Sequence, residues 1–550
     1  MRPFLMTEEK RERYTKNGYW GLPTLHEVFG QQAIKFPHKE FLVDSSTRLT
    51  FSQAKRYVDR LALGLLELGF EKDDVLMIQL PNIVESSLLR LAAPSGGILA
   101  VMVMAAFDAR EIKHILQKTQ AKGVVIPWKF GDRDYFETIK GLQSELPDLE
   151  RIFVVADNEA PEGAISIKEM LQRPIEKEYP EDYLRGKAIN TWDIQELQTT
   201  TGSTGLPKIS EGYGWYQLQG KTIGERLKAV EDDVVGFVVP YIGGPGNCIW
   251  CVGIVHGCKL VFIEKFTPED VLSLVARERI TIMVGVPAVG EKLIRVQDLP
   301  KYDLSTLRIF YTAGAPMPPS LAKEIEEKMG CKVVGIIGSM DFGPISLPSV
   351  DDSQEVRWHS LGKPLPGNEI RIVNEKGEDV PQGEVGELIC KGPYAYTGYY
   401  KMPEATLDAY GGEMDGWFRT QDLTKVDEEG NLYVVGRLKD IIRRGAMTIA
   451  PVEIEDLLRT HPAIKDVAVV PMPDPILGER ACAFVIPANK REEIVFEEII
   501  SFLRAKGLTT FKLPERLEII DAFPMIGDQK VLKSKLVEIV TNKLRAEGKI

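Results

Sequence analysis

Apolar and polar positions along this chain follow two rhythms. In the first, Ala54, Val58, Leu61, Ala62, Leu65 and Leu66 recur at steps of three and four. They fall on one face of a helix that an N-cap at Ser52 would open and Gly69 would close. In the second, short near-continuous apolar runs at 75–80, 99–104 and 124–126 stand between polar or glycine-rich breaks. Runs of that length predict strands buried on both faces. Helices are predicted from Ile83 and over Ala109–Thr119, and two short strands closed by a turn at 41–43 and 49–51. The same grammar returns at 259–263, 282–284 and 307–311.

Strand-helix-strand alternation of this kind predicts an α/β fold, with parallel-type sheets and helices on both faces. From about residue 366 the strands shorten and turns rich in Gly, Pro and Asp multiply, as at 369–373, 387–391 and 432–435, which predicts a β subdomain over 366–436. A boundary is expected at Gly436-Arg437. It divides a large N-terminal domain, 1–436, from a small α+β cap, 437–550. The cap is predicted to hold helices at 452–460 and 495–505, strands at 467–470, 481–486 and 516–520, and a closing amphipathic helix.

Composition narrows the function. At 550 residues the chain exceeds the roughly 250–300 at which a single core stops growing. A net charge of −12, with no basic stripe among aromatics, argues against a nucleic-acid partner. Residues 1–14 are charged and lack the apolar run of a secretory signal. Residues 234–258 carry no Lys, Arg, Asp or Glu, but Pro240, Gly243, Gly244, Pro245, Gly246 and Asn247 break them into a strand, a turn and a buried helix. No membrane span is expected, and the compartment expected is cytoplasmic. Cys248 and Cys251 sit in that apolar run without a second pair, so buried thiols are expected there rather than zinc.

The chemistry concentrates at Thr199-Thr200-Thr201-Gly202-Ser203-Thr204-Gly205-Leu206-Pro207-Lys208. Glycines let backbone N–H groups converge on an anion, hydroxyls add donors, and the lysine ammonium supplies the charge that a polyphosphate demands. The spacing is not that of the ordinary P-loop, which needs lysine directly after the second glycine.

This stretch resembles the phosphate loop of the adenylate-forming superfamily, which includes acyl- and aryl-CoA synthetases, peptide-synthetase adenylation domains and firefly-type luciferases. The resemblance continues in order along the chain. Thr312-Ala-Gly314-Ala315-Pro316 is similar to the segment that lies against adenine. Gly338-Ser339-Met340-Asp341 stands where the family has Tyr-Gly-x-Thr-Glu, whose glutamate holds magnesium. Gly416 to Asp422 resembles the segment whose aspartate meets the ribose, joined there by Arg437. Lys439 falls at the hinge of the small domain, and Gly445 in the loop facing pantetheine in the second half-reaction. Lys530 occupies the C-terminal lysine motif. Within the superfamily the likeness is greatest to the 2,3-dihydroxybenzoate-AMP ligase group, through such segments as Gly398-Tyr-Tyr-Lys401 and Phe511-Lys-Leu-Pro-Glu515.

The resemblance implies ATP-dependent adenylation of a small carboxylic acid, with ATP and magnesium (Mg2+), followed by thioester formation with CoA. The alternative acceptor is a carrier-protein pantetheine. Lys208 and Lys530 would meet phosphate and Asp341 the metal; Tyr241, Gly243 and Gly244 would line the acyl pocket. Several positions depart from the family pattern. Asp341 is one methylene shorter than the glutamate, Met340 replaces a hydroxyl residue, Gln421 replaces a glycine beside Asp422, and Gln529 replaces the glycine before Lys530. These leave open a third reading, a degenerate homologue that binds nucleotide or acyl ligands without turnover. The 241–246 turn has no catechol partner, which favours an apolar aryl or medium-chain acid.

Overall fold

The computed structural model describes residues 6–156, 159–200, 206–410, 416–445, 447–489, 494–526 and 530–550. The chain divides into two compact units. The first holds Met1–Glu369 and Cys390–Phe418, the second Ile370–Ile389 and Arg419–Ile550. Segments 370–389 and 419–436, expected with the N-terminal domain, thus group by compactness with 437–550.

Among the described residues the first unit carries two seven-stranded sheets. One runs, in spatial order, Lys332–Gly335, Ile309–Thr312, Ile282–Gly285, Val234–Phe237, Lys259–Phe262, Glu40–Val43 and Arg48–Thr50. Only the last pairing is antiparallel. The other runs Ile209–Gly212, Glu196–Thr199, Leu99–Met102, Val75–Ile78, Gly123–Pro127, Arg151–Val155 and Ile165–Ser166. There the first pairing alone is antiparallel. The strands are buried along nearly their whole length because helices cover the faces, as unbroken apolar runs require.

The helix over Phe51–Glu67 buries Ala54, Val58, Leu61, Ala62 and Leu65 as expected, but Thr50 caps it, not Ser52. Thr50 accepts from the Gln53 amide while the Gln53 side chain accepts from the Thr50 N–H. The residue three beyond Ser52 is Lys55, which has no acceptor to return, so the reciprocal box forms two residues earlier. The charge-free run becomes the strand Val234–Phe237 and the buried helix Gly244–His256. That helix packs closely on Tyr216–Leu227: a Cβ on Gly220 would stand 2.6 Å from the Cys251 carbonyl. No helix among the described residues is long and apolar enough to cross a membrane. All six cysteines are buried and free.

A charged pair ties these elements together. Arg90, on the helix Val84–Ser95, is 2% exposed and grips Glu196 through Nε at 2.5 Å and Nη2 at 2.7 Å. Its Nη2 also donates to Asn247 Oδ1, and its guanidinium lies 3.9 Å over the Trp250 ring.

Mostly in the second unit, strands Glu369–Val373, Gly386–Lys391, Phe418–Val426 and Leu432–Arg437 make a four-stranded sheet. A further sheet centres on the hairpin Ile464–Asp474 and Gly478–Pro487, longer than the predicted 467–470 and 481–486. Pro471 and Pro473 interrupt the apolar pattern, yet pairing continues to Asp474 opposite Gly478, where the Asp474 carboxylate accepts from Ile476 and Leu477 N–H groups in the turn. Alternation then serves two faces. Val467 and Val469 pack under the helices Pro451–Arg459 and Phe496–Ala505, while Ala468, Val470 and Phe484 pack under Lys533–Ala546.

Candidate functional site

Three predicted segments leave the same edge of one parallel sheet. Tyr241–Gly244 follow the strand Val234–Phe237, Gly314-Ala315-Pro316 follow Ile309–Thr312, and Gly338–Asp341 follow Lys332–Gly335. The register sets Phe237 beside Val284, Val284 beside Tyr311, and Thr312 beside Gly335, so all three emerge at the carboxyl ends of neighbouring strands. Ligands of open α/β sheets bind at such edges. Gly314 has φ +85° and lies exposed with Ala315 and Pro316, a backbone that a glycine adopts without strain.

The turn at 339–342 is held from within, since Ser339 Oγ accepts from the Asp341 and Phe342 amides. A Cβ on Gly244 would lie 3.9 Å from Met340 Sδ, so the glycine turn and the methionine face each other. Tyr241 sits beneath that turn, 1% exposed, its hydroxyl hydrogen-bonded with Ser86 Oγ at 2.8 Å and its N–H donating to Asn82. Its ring packs against Phe262. Burial pushes its phenol well above the usual tyrosine range, so it keeps its proton.

The strands that flank the predicted phosphate loop, Glu196–Thr199 and Ile209–Gly212, belong to the other sheet. Thr201, Gly202, Ser203, Thr204 and Gly205 lie outside the described residues. The neck is defined: Thr200 N–H donates to the Lys208 carbonyl and Lys208 N–H to Thr200 Oγ1, both at 3.0 Å. Ser210 Oγ donates to the Met340 carbonyl at 2.8 Å, which joins the loop's descending strand to the 338–341 turn. Tyr399 joins them again. Its ring lies 4.6 Å from Lys208 Nζ and its hydroxyl donates to Asp341 Oδ1 at 2.5 Å. Tyr410 donates its hydroxyl to the Asp341 backbone carbonyl. Burial and the neighbouring Asp341 carboxylate push the Tyr399 phenol far up, so it stays a donor.

The remaining candidates lie in the second unit. Asp422 and Arg437 are register partners on adjacent strands, with Arg437 Nε donating to Asp422 Oδ1 at 2.8 Å. Gln421, where the family pattern has glycine, has φ +61°, a left-handed backbone that glycine adopts without strain. Lys439 sits in a single three-ten turn, Leu438–Asp440. Gly445, at φ +60°, donates its N–H to Leu477 O at 2.7 Å. The backbone of Lys530 lies in the short strand Lys530–Val531, and Gln529 falls outside the described residues.

The chain's sequence points to Lys208 and Asp341; it marks Tyr399 only within the Gly398–Lys401 likeness, without a site role, and marks neither Tyr410 nor the buried Arg90–Glu196–Asn247 set. A charge inside an otherwise apolar run, as in Leu88-Leu-Arg90-Leu-Ala-Ala93, was the one available signal of a buried pair.

Residues 29–400 match the AMP-binding enzyme family and residues 453–530 the AMP-binding enzyme C-terminal domain. The chain is 30% identical over 547 residues to the 2,3-dihydroxybenzoate-AMP ligase of Bacillus subtilis (strain 168), with 98% of each chain covered. It is also 30% identical over 550 residues to the medium-chain fatty-acid–CoA ligase of Escherichia coli (strain K12), covering 98% of this chain and 94% of that one. The fold matches the crystal structure of an anthranilate CoA ligase in complex with anthranoyl-AMP, with a TM-score of 0.84 at 22% identity, over 95% of this chain and 98% of that one.

Proposed function

This chain belongs to the AMP-binding enzyme family, and we propose that it adenylates an aryl or medium-chain carboxylic acid with ATP and transfers the acyl group to the thiol of CoA. In the first step a carboxylate oxygen attacks the α-phosphorus, the bond to the β-phosphate oxygen breaks, and pyrophosphate leaves. In the second the thiol sulfur attacks the acyl carbon, AMP leaves, and the thiol proton goes to solvent. A free carboxylate resists such attack because charge and resonance protect its carbon; the adenylate supplies a leaving group.

The observation that carries this reading is the convergence of Lys208 and Asp341 on Tyr399, at the carboxyl edge where the adenine-type segment Gly314–Pro316 also emerges. The first step gathers negative charge on the α-phosphate, and positive charge placed beforehand lowers that barrier. Lys208 supports one part of that task and Lys530 the other, bridging carboxylate and α-phosphate. Asp341 suits a magnesium ion that arrives with its phosphates: magnesium keeps waters and takes only one or two carboxylates. When bound, the metal would neutralise phosphate charge. Arg437 orients the Asp422 carboxylate toward the ribose role. Gly243, Gly244 and Met340 offer the acid an apolar surface without a charged partner.

Pyrophosphate exchange into ATP across a panel of carboxylic acids tests the reading. Exchange with apolar aryl or medium-chain acids above that with dihydroxybenzoate is expected, and no exchange with any acid would favour a binding protein without turnover. Lys530→Ala should lower exchange on the order of 100-fold, the scale of one preorganised electrostatic contact. Thioester formation from supplied acyl-adenylate should survive; equal loss of both would refute the role of Lys530.

A further inference from the structure

We propose that Tyr399 is a positioning residue that couples the phosphate-side lysine to the metal-side carboxylate, an inference that rests on the roles given above to Lys208 and Asp341. Tyr399 is 2% exposed and touches both groups with different parts of one side chain: the ring with the Lys208 ammonium, the hydroxyl with the Asp341 carboxylate. Its own place is set by backbone bonds. Glu211 N–H donates to Gly398 O at 2.9 Å and Tyr400 N–H to Ile209 O at 2.7 Å, so segment 398–400 is zipped to the strand that Lys208 opens. Tyr399 N–H also donates to Thr406 Oγ1 at 2.8 Å. Lysine and tyrosine therefore keep a constant register.

The chemistry of the arrangement is that of a spacer. A lysine and an aspartate within reach of each other form an ion pair and neutralise the charges that a phosphate and its metal would use. A phenol between them satisfies each without joining them. The ring face attracts the ammonium, and the hydroxyl donates to the carboxylate and holds it in one rotamer. The hydroxyl engages Oδ1 of Asp341, and the Tyr410 bond to the Asp341 carbonyl fixes the backbone from which the side chain extends.

The test is ATP binding by calorimetry on the full chain, with magnesium in excess and with EDTA. Tyr399→Phe keeps the ring and removes the hydroxyl. We expect its affinity for ATP with magnesium to fall about tenfold, the scale of one hydrogen bond to a charged group, while affinity in EDTA shifts less than about twofold. Tyr399→Leu, which also removes the ring, should weaken both. Asp341→Asn should show the same magnesium-selective loss, and Tyr399→Phe combined with Asp341→Asn should be no weaker than Asp341→Asn alone. An equal loss in both conditions, no loss, or additive losses in the double variant would overturn the coupling. If wild-type affinity ignores magnesium, or Asp341→Asn leaves its dependence intact, the metal role of Asp341 fails and the coupling with it. A magnesium-dependent, Asp341-sensitive wild type with an inert Tyr399→Phe overturns the coupling alone.

Discussion

Replacing Arg90 with methionine removes one end of a buried ion pair and leaves the other. Glu196 is 6% exposed and receives two bonds from Arg90, so its carboxylate would stay in the interior without its cation. Breaking a buried pair on one side costs about 3–5 kcal/mol. Gln198 Nε2 and the Tyr216 hydroxyl also donate to Glu196, which places this case near the lower limit. Loss of the guanidinium from the Trp250 face, 3.9 Å away, adds about 1 kcal/mol. The expected total is about 4 kcal/mol. Adding Glu196→Gln removes the stranded charge yet keeps an acceptor for Gln198 and Tyr216, and should bring the double variant within about 2 kcal/mol of wild type. Urea unfolding read by tryptophan fluorescence measures both, with Trp250 itself a reporter. Adenylation should fall with stability: the strand Glu196–Thr199 runs into the phosphate loop, and Asn247 stands in the first turn after Gly243 and Gly244. A single variant within about 1 kcal/mol of wild type, or a double variant as unstable as the sum of its singles, would refute the argument.

Gln421→Gly should be neutral or stabilising by up to about 1 kcal/mol, because it relieves a side chain from φ +61°, whereas Gln421→Val should cost more than about 1 kcal/mol; equal unfolding midpoints would sink the claim. Glu278 makes a pH prediction. Burial alone would raise its pKa, but hydrogen bonds from Arg48 and Lys259 overcome that and hold it at about 2, below its ordinary 4.5. A depressed folded value means stability present above pH 4.5 and lost as pH falls toward 2, about 2 kcal/mol once solvent screening at the half-exposed Arg48 is allowed for. Glu278→Gln should flatten that decline in urea midpoints; parallel curves for the two proteins would contradict it. Lys439→Pro should fix φ near −65°, which the three-ten turn Leu438–Asp440 already accommodates, and so hold the segment beyond Arg437 in one pose. Adenylation should persist and thioester formation cease; normal rates for both half-reactions would exclude a swing about Lys439.

Local physics made much of this protein legible before any coordinates. The helix Ala109–Thr119 has the predicted bounds, and its apolar face, Ile112, Ile115, Leu116 and Thr119, recurs within a few residues. The strand Glu369–Val373 likewise has the predicted bounds. The order of the segments that resemble a phosphate loop and an adenine-facing segment is likewise written along the chain, since each is a short run of residue types. What the tertiary structure decided involves partners far apart in sequence. Thr50 rather than Ser52 caps its helix because Gln53 can return a bond, and the cap sits at the end of a strand whose place the sheet sets. Arg90 and Glu196 are 106 positions apart, and Tyr399 and Asp341 are 58 apart. No periodicity couples such positions, because the side-chain period reports only which face is buried. Which charge meets which carboxylate follows from the register of strands and the edge at which loops leave. Gln421 shows the same limit at one residue: its side chain does not announce the left-handed backbone it takes within the strand Phe418–Val426.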